Sequence, residues 1–404
     1  MTDTAPVDVT TDYDLFDPAF VRDPYPAYDE IRETCPVAHT DRYQGSWMPT
    51  SYEDLRDFAA ETDLFSSEDV LVTPRPELQT AGKTAYADVK APPISSDPPE
   101  HNWTRRLILP IFAPGAVKQY EQGTKDLCNS LIDSFIATGR ADVGTDYAQQ
   151  IPVRVIATML GVGTERADEF VGWVRGILEF GLTDGDVRIK ARTALIGFFK
   201  EQVDDRRANP RENDLITEMV QAEVDGEAVP EDIILGVCNL MLVAGIDTTW
   251  SAIGSSLWHL AQHPEQRQQL RDDPDIWPLA IEELLRAYSP VTMARVATQD
   301  IEFKGCPIKQ GDKIIMAFPA GNRDPEVFEN PDEVILDRER NRHIAFGSGI
   351  HRCAGSNLAR LELRIALQTF LERIPDFELI DPGAVTWAGG QVRGPRICEV
   401  TFPI

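Results

Sequence analysis

The chain has 404 residues, of which 42% are hydrophobic and 26% are charged, as is typical of a globular protein with a large core. Its formal net charge of -27 argues against nucleic-acid binding, which needs a basic surface. No apolar run appears long enough to cross a bilayer and the polar N-terminus lacks the features of a signal peptide, so we expect a cytoplasmic protein with no membrane segment.

The N-terminal part combines a polar tail with an irregular region. Residues 1–17 show no hydrophobic periodicity and are expected to form a flexible tail. Between Ser66 and Glu100 the sequence is rich in proline, serine and aspartate, which predicts a long, mostly irregular loop. Long loops inside compact domains are commonly functional lids.

The middle of the chain is predicted to be helical. From about residue 115 to 265 apolar residues recur at helical spacing, and the segment 170–199 reads as two helices joined by a turn at 181–185. Pro230 and Pro264 then bracket a long stretch without proline, which predicts a helix on the order of 50 Å long.

The centre of that long helix carries an unusual polar group. Its sequence, Leu240 to Trp250, is apolar nearly all round and is expected to be buried. Asp247, Thr248 and Thr249 interrupt it, and burying such side chains is unfavourable unless each has a partner or a task. A helix kink with satisfied side chains is the alternative interpretation.

The remaining elements predict a mainly α protein with small β-sheets. Glu283 and Arg286 are three residues apart and share one face of a predicted helix. Residues 296–315 alternate β-branched residues with turns, which predicts short strands, and strands should return around 397–402.

A glycine-rich loop with a lone cysteine is the most informative segment. It reads Phe346-Gly-Ser-Gly-Ile-His-Arg-Cys353-Ala-Gly355 and directly precedes residues with helical spacing. A helix N-terminus favours a thiolate, and the glycines allow the backbone to approach a bulky planar group. A thiolate is a soft metal ligand, and ligation of haem iron is one of the few uses of a single cysteine. The alternative is a buried structural cysteine.

This segment resembles the haem-binding signature of the cytochromes P-450, Phe-x-x-Gly-x-x-x-Cys-x-Gly, on Phe346, Gly349, Cys353 and Gly355. The resemblance covers nearly the whole chain. It implies a single-domain cytochrome P-450 fold over residues 18–404, haem b (iron protoporphyrin IX) as cofactor, and Cys353 as the axial ligand of the haem iron.

Two companion motifs extend the resemblance. Ala244 to Thr249 resembles the oxygen-activation motif, which implies that Asp247 and Thr248 deliver the protons needed to cleave O2. Glu283-x-x-Arg286 resembles a structural motif that forms a buried ion network with a further arginine. Arg338 and Arg340 are the two candidates for that third member.

The resemblance also implies residues that bind the haem propionates and the substrate. His101, Arg105, Arg295 and His351 match the family's propionate donors, and arginine suits carboxylates because its fork can form paired hydrogen bonds. The expected substrate contacts, by analogy with relatives, are Val243, Ala244, Val291, Ala294 and Val392.

The implied activity is that of a monooxygenase. The expected substrate is hydrophobic and of small or medium size, such as a terpenoid or an aromatic ether, and the reaction is hydroxylation or O-dealkylation with O2 as co-substrate. Electrons would come ultimately from NAD(P)H through a ferredoxin and its reductase. The protein is expected to be a monomer. A basic patch for that partner would comprise Arg105, Arg106, Lys118, Arg352, Arg360 and Arg364. A peroxide-using or isomerising haem-thiolate enzyme and a haem gas sensor are the alternatives.

Overall fold

A computed structural model describes residues 8–74 and 89–404 of the chain. Within these ranges the protein is mainly α with small β-sheets, as the sequence predicts. The α-helices are Pro18–Arg22 (α1), Tyr25–Thr34 (α2), Tyr52–Ala60 (α3), Glu100–Ile108 (α4), Pro114–Val117 (α5), Glu121–Phe135 (α6), Gln150–Met159 (α7), Ala167–Leu178 (α8), Gly185–Ala208 (α9), Leu215–Gln221 (α10), Glu231–Gln262 (α11), Pro264–Asp272 (α12), Trp277–Ala287 (α13), Phe318–Gly321 (α14) and Ser356–Arg373 (α15).

Short strands form one larger sheet and several small ones. The strands are Val37–Thr40 (β1), Ser46–Pro49 (β2), Phe65–Ser66 (β3), Arg140–Asp142 (β4), Glu223–Val224 (β5), Glu227–Ala228 (β6), Met293–Ala297 (β7), Ile301–Phe303 (β8), Cys306–Ile308 (β9), Lys313–Met316 (β10), Glu378–Leu379 (β11), Thr386–Ala388 (β12), Gly394–Ile397 (β13) and Glu399–Thr401 (β14). The order is β1-β2-β10-β7-β3 in the five-stranded sheet and β11-β14-β4 in the three-stranded sheet, and β5-β6, β8-β9 and β12-β13 pair separately.

The long helix α11 lies at the centre of the main hydrophobic core. It begins after Pro230 and ends at Gln262, as the bracketing prolines predict. The expectation that no apolar run could span a bilayer is wrong for this helix, since its length and mean hydropathy of 1.6 would suffice. However, 78% of its most apolar window is buried inside the protein. Its apolar surface is therefore covered by other parts of the chain.

The helix pair expected between residues 170 and 199 is present as α8 and α9. Asp184 caps α9 by accepting hydrogen bonds from the backbone N–H groups of Asp186 and Val187, which separates the two helices. The loop expected between Ser66 and Glu100 is irregular over residues 67–74 and 89–99, and its central part, residues 75–88, lies outside the described residues.

The expected flexible tail needs correction from residue 8 onward, while residues 1–7 lie outside the described part. Tyr13 is 2% exposed, and its hydroxyl lies 2.6 Å from the Ser46 hydroxyl on β2. Leu15 is also buried, and the Thr10 carbonyl accepts a hydrogen bond from the His39 backbone. Val9 and Phe16 are partly buried against the same cluster, so a few apolar side chains within a polar segment carry this packing.

Candidate active site

A cavity of about 1290 Å³ lies between α11, the loop before α15, and the ends of β3 and β7. Cys353 lines it three residues before α15 begins, close to the helix N-terminus as expected. The Cys353 backbone N–H donates a hydrogen bond of 2.8 Å to the Phe346 carbonyl, which closes the loop. The cysteine side chain is exposed and faces the cavity.

The electrostatic setting of Cys353 differs from the sequence expectation. Burial raises the pKa of the Cys353 thiol, and the Gly355 N–H and the nearby Arg105 only partly oppose this effect. A helix N-terminus therefore does not suffice to lower the pKa here. A stable thiolate at this position needs a bound cation, as a metal ligand would have.

The loop glycines serve different purposes. Phe346 and Gly355 line the cavity, and a Cβ atom at Gly355 would meet Phe112 at 3.6 Å and Cys353 Sγ at 3.9 Å. The interpretation of Gly349 as a cofactor contact is wrong. Gly349 has a φ of +70° and no room for a Cβ atom against the Ala59 carbonyl of α3, so it allows the loop to pack on that helix.

The four expected propionate donors converge on one side of the cavity. Arg295 and Arg105 line it, as does His351, whose ring lies 4.4 Å from the His101 ring. Arg295 is 2% exposed and donates to the Ala294 carbonyl. In residues 8–74 and 89–404 no carboxylate lies within ion-pair distance of it. Burial lowers the pKa of Arg295 to about 10.

Neighbouring polar atoms at this side are likewise incompletely paired. The Nε2 atom of His101 is buried and has no hydrogen-bond partner in the described part of the chain. Burial and the positive charge of Arg295 lower the pKa of His351 to about 2, although its Nε2 lies 2.9 Å from the Ser67 hydroxyl. A buried cation, an orphaned imidazole nitrogen and a cavity-facing thiol match the propionates and the iron of a haem, so these residues fit the cofactor that the resemblance implies.

Thr248 and Asp247 on α11 take different positions relative to the cavity. Thr248 lines it and donates a hydrogen bond of 2.7 Å to the Ala244 carbonyl one turn earlier. Asp247 is fully buried, and burial raises the pKa of its carboxyl group. The expected acid–alcohol pair is therefore an alcohol at the cavity wall and an acid behind it.

Sequence reasoning did not find the partners of that acid. Arg396 on β13 donates to Asp247 Oδ1 at 2.7 Å and to Glu179 Oε2 at 3.0 Å. Arg175 forms a second ion pair with Glu179, at 2.8 Å. Of these ion pairs, only the one between Arg175 and Glu179 could be predicted from the sequence, because the two residues are four positions apart on a helix.

The ion network of α13 is present and identifies its third member. Arg286 donates to both carboxylate oxygens of Glu283 at 2.8 Å, and the two side chains are fully buried. Arg338 Nε donates to Glu283 Oε2 at 3.0 Å. Arg340 is exposed, so Arg338 takes the position that the sequence left open. Asn341 also donates to Glu283, which the sequence gave no reason to expect.

Four of the five expected substrate contacts line the cavity: Val243, Ala244, Val291 and Val392. Val291 and Val392 also form an isolated β-bridge, which joins the two segments. Ala294 is wrong as a substrate contact. It is fully buried in a separate core cluster, whereas its neighbours on β7, Met293 and Arg295, line the cavity. Met293 is a lining residue that the sequence analysis missed.

The comparisons with known proteins agree with this geometry. The family model described as Cytochrome P-450 matches residues 183–275 and 277–382. Nocardicin C N-oxygenase of Nocardia uniformis subsp. tsuyamanensis is 33% identical over 97% of this chain and 99% of its own length. The chain belongs to the cytochrome P-450 family.

Further relatives show the range of the family. The mycinamicin IV hydroxylase/epoxidase of Micromonospora griseorubida is 32% identical over 93% of this chain and 94% of its own length. Among solved structures, P450BioI in complex with an acyl carrier protein carrying hexadec-9Z-enoic acid has a TM-score of 0.85 and 29% identity, covering 96% of this chain and 99% of that one. This cytochrome P-450 is accordingly an oxidoreductase, a haem-thiolate monooxygenase that uses O2.

Proposed function

We propose that this cytochrome P-450 inserts one oxygen atom of O2 into a hydrophobic substrate of small or medium size, by hydroxylation or O-dealkylation, with Cys353 as the axial haem ligand. The observation that carries the proposal is that Cys353 and Thr248, from separate elements, line the same cavity. When bound, the haem supplies the activation of O2 and the oxidation of the substrate.

The protein's own side chains hold the cofactor and handle protons. Arg295 and Arg105 bind the haem propionates, with His101 and His351 beside them. Thr248 presents a hydroxyl to the cavity, while Asp247 supplies protons from behind the helix face. General acid catalysis needs such a group within reach of the reacting oxygen, and Thr248 is the member of the pair that meets the cavity.

The substrate surface supports an apolar ligand. Val243, Ala244, Val291 and Val392 offer only hydrocarbon, and Met293 adds a deformable apolar contact. The names of the relatives cover a nocardicin, a mycinamicin and an acyl carrier protein, so they do not point to one compound. A terpenoid or an aromatic ether remains our proposal for this chain.

The electron donor is proposed to be a ferredoxin reduced by NAD(P)H through its reductase. Arg106, Lys118 and Arg352 are exposed around the Cys353 loop, and none forms an ion pair with the described residues. Arg360 and Arg364 are paired with Glu282 and Glu121. We propose that these three unpaired cations bind an acidic partner, with Ile350 and Leu109, which are exposed and close in sequence to Arg352 and Arg106, as apolar contacts. We also propose that the protein is cytoplasmic and monomeric.

The test is the absorption spectrum of the purified, reduced protein exposed to carbon monoxide. A strongly red-shifted Soret band in wild type, lost in Cys353→Ser and kept in Cys35→Ser, is the expected result, because Cys35 is outside the cavity. A carbon monoxide complex without that shift in wild type would show another axial ligand and end the proposal. Titration of the ferric protein with terpenoids and methoxyaromatics then identifies the substrate class by the spin-state change.

A further inference from the structure

Residues 70–74, which we call the strap, form part of the cavity wall without belonging to a helix or a strand. Val70, Leu71 and Pro74 line the cavity, whereas Val72 is 4% exposed and belongs to a separate core cluster. A buried irregular segment needs partners for its backbone N–H and C=O groups. In the strap, side chains from distant parts of the chain bond the backbone of each of its residues.

Gln391, which is 5% exposed, bonds the strap with both polar atoms of its side-chain amide. Its Nε2 donates to the Val70 carbonyl at 3.1 Å, and its Oε1 accepts from the Val72 backbone N–H at 2.9 Å. Because a backbone N–H can only donate and a carbonyl can only accept, these two contacts fix which way the amide points. The Gln391 backbone carbonyl also accepts from the Thr292 N–H at 3.0 Å. Gln391 therefore connects the strap with the residues that lead into β7.

The rest of the strap is held by two cationic side chains. Lys313 on β10 donates to the carbonyls of Leu71 and Thr73 at 2.6 and 3.0 Å, and these residues alternate with those that Gln391 bonds. Such alternation is typical of an extended segment that is bonded along both edges. Arg188 on α9 donates to the last carbonyl of the strap at 3.1 Å. The backbone of the strap is thus engaged with the protein, and the strap contributes mainly hydrocarbon to the cavity wall.

We propose that Gln391 is a positioning residue for the substrate, because it holds the strap in place at the cavity. Val70 and Leu71 then extend the apolar wall of which Val392 is part. A ligand that reaches this wall meets a segment that is already ordered, so the binding free energy is not reduced by the cost of ordering it. Selection is by fit to an apolar surface, since both polar atoms of the Gln391 amide bond the strap. This inference rests on the proposed function and deepens it, because it concerns how the same cavity binds an apolar substrate.

The experiment compares the binding of two ligands to the holoenzyme and to Gln391→Met, which keeps a side chain of similar length and removes both hydrogen bonds. The ligands are imidazole and 1-tritylimidazole, which both bind a haem iron through a ring nitrogen, but only the second extends into the surrounding cavity. We expect calorimetry to show that 1-tritylimidazole binds roughly 3- to 10-fold more weakly to the variant, with imidazole unchanged. Unchanged or tighter binding of 1-tritylimidazole, or equal weakening of both ligands, would overturn the assignment.

Gln266→Met is the matched control for a loss of hydrogen bonds that does not involve the cavity. Gln266 on α12 also uses both amide atoms, since Nε2 donates to the Val334 carbonyl at 2.9 Å and Oε1 lies 2.8 Å from His259 Nε2. It does not line the cavity. The ratio of the two affinities should therefore stay as in wild type. A ratio that shifts as much as in Gln391→Met would show that lower stability alone weakens binding, and would also overturn the assignment.

Gln391→Glu tests whether the two hydrogen bonds themselves are responsible. A protonated carboxyl group can accept from the Val72 N–H and donate to the Val70 carbonyl, whereas a carboxylate cannot donate. Burial raises the pKa of a carboxyl group, so lowering the pH from roughly 8 to roughly 5 should restore the binding of 1-tritylimidazole towards that of wild type at the same pH. No recovery would contradict the role of these bonds. A wild-type carbon monoxide spectrum without the red-shifted Soret band would count against the proposed function and not against Gln391.

Discussion

The carboxylate of Asp247 and the guanidinium of Arg396 form an ion pair inside the protein, with 2.7 Å between Oδ1 and Nη2. Asp247 Oδ2 has no partner in the described part of the chain, so the pair is incomplete. Arg396 also bonds Glu179, and burial raises the pKa of Asp247 against the attraction of Arg396. One arginine therefore controls how easily the acid behind Thr248 takes up and releases a proton.

Replacing Arg396 should shift the pH dependence of catalysis. In Arg396→Gln the attraction that lowers the pKa of Asp247 is lost while burial remains, so that pKa should rise further. A carboxylate with a higher pKa ionises at a higher pH, so the acidic limb of product formation should move upward in pH. Arg175→Gln is the graded comparison, since Arg175 pairs with Glu179 and lowers the pKa of Asp247 less than Arg396 does, so it should move the limb less. If the acidic limb of the pH profile does not move in Arg396→Gln, Arg396 does not control the pKa of the catalytic acid.

Loss of the cavity-facing hydroxyl should separate substrate binding from productive use of O2. Thr248→Ala removes the cavity-lining hydroxyl that we propose takes part in proton delivery, but the apolar residues of the cavity remain. We expect unchanged substrate affinity and NAD(P)H use, with most of the reducing equivalents recovered as hydrogen peroxide. Thr249→Ala, which also alters a cavity-lining hydroxyl, should stay coupled. If Thr248→Ala still converts its reducing equivalents fully into product, the proposed role of Thr248 is wrong.

The sequence predicted those parts of the site that lie within one short segment. The Cys353 loop, the polar centre of α11 and the Glu283–Arg286 pair each depend on local spacing, and the structure has them where they were expected. Local spacing also predicts the length of α11, because the prolines that bracket it act through their own backbone.

What the sequence could not supply is contact between distant segments. Arg396 meets Asp247 across 149 positions, and nothing near either residue signals the other. Arg338 and Arg340 differ by two positions in an irregular segment, so only tertiary packing could choose between them. Ala294 was misplaced because a one-residue error on a strand reverses the face. Gly349 was misread because its neighbour, Ala59, comes from another helix.

The choice of Arg338 over Arg340 predicts a large difference in stability. Arg338→Ala removes a donor to the buried Glu283 carboxylate and three backbone contacts, so we expect a loss of about 3 kcal/mol or more in the free energy of unfolding. Arg340→Ala should stay within about 0.5 kcal/mol because that side chain is exposed. Thermal or chemical denaturation of the holoenzymes measures both. Equal losses of stability in the two variants would contradict the assignment of Arg338 to the buried ion network.

Charge reversal at Arg352 should slow reduction by the partner without altering substrate binding. The Arg352 side chain is exposed, and only its backbone carbonyl bonds Arg105, so Arg352→Glu leaves the loop contact in place. We expect the rate of reduction by ferredoxin to fall roughly 10-fold at low salt, with a smaller effect at high salt. Arg140→Glu on β4, away from the cavity, is the control. A salt-independent change, or none, would place the docking surface elsewhere.

Glu362 on α15 should make the stability of the protein fall as pH rises. The Glu362 side chain lines the cavity and is 1% exposed, and its Oε2 atom has no hydrogen-bond partner in the described residues. Burial raises the pKa of its carboxyl group from 4.5 to about 8. Between these values the folded state holds a proton that the unfolded chain has released. The free energy of unfolding should therefore drop by about 1.4 kcal/mol per pH unit from this group.

The variant Glu362→Gln isolates that contribution because it keeps the shape and cannot ionise. Its advantage over wild type should grow steadily between roughly pH 5 and pH 7.5 in chemical denaturation, since other groups titrate alike in both proteins. Glu372→Gln on the same helix is the control and should show no such trend, because its side chain is 61% exposed. A difference between Glu362→Gln and wild type that stays constant with pH would mean that Glu362 is ionised in the folded protein and has found a cationic partner.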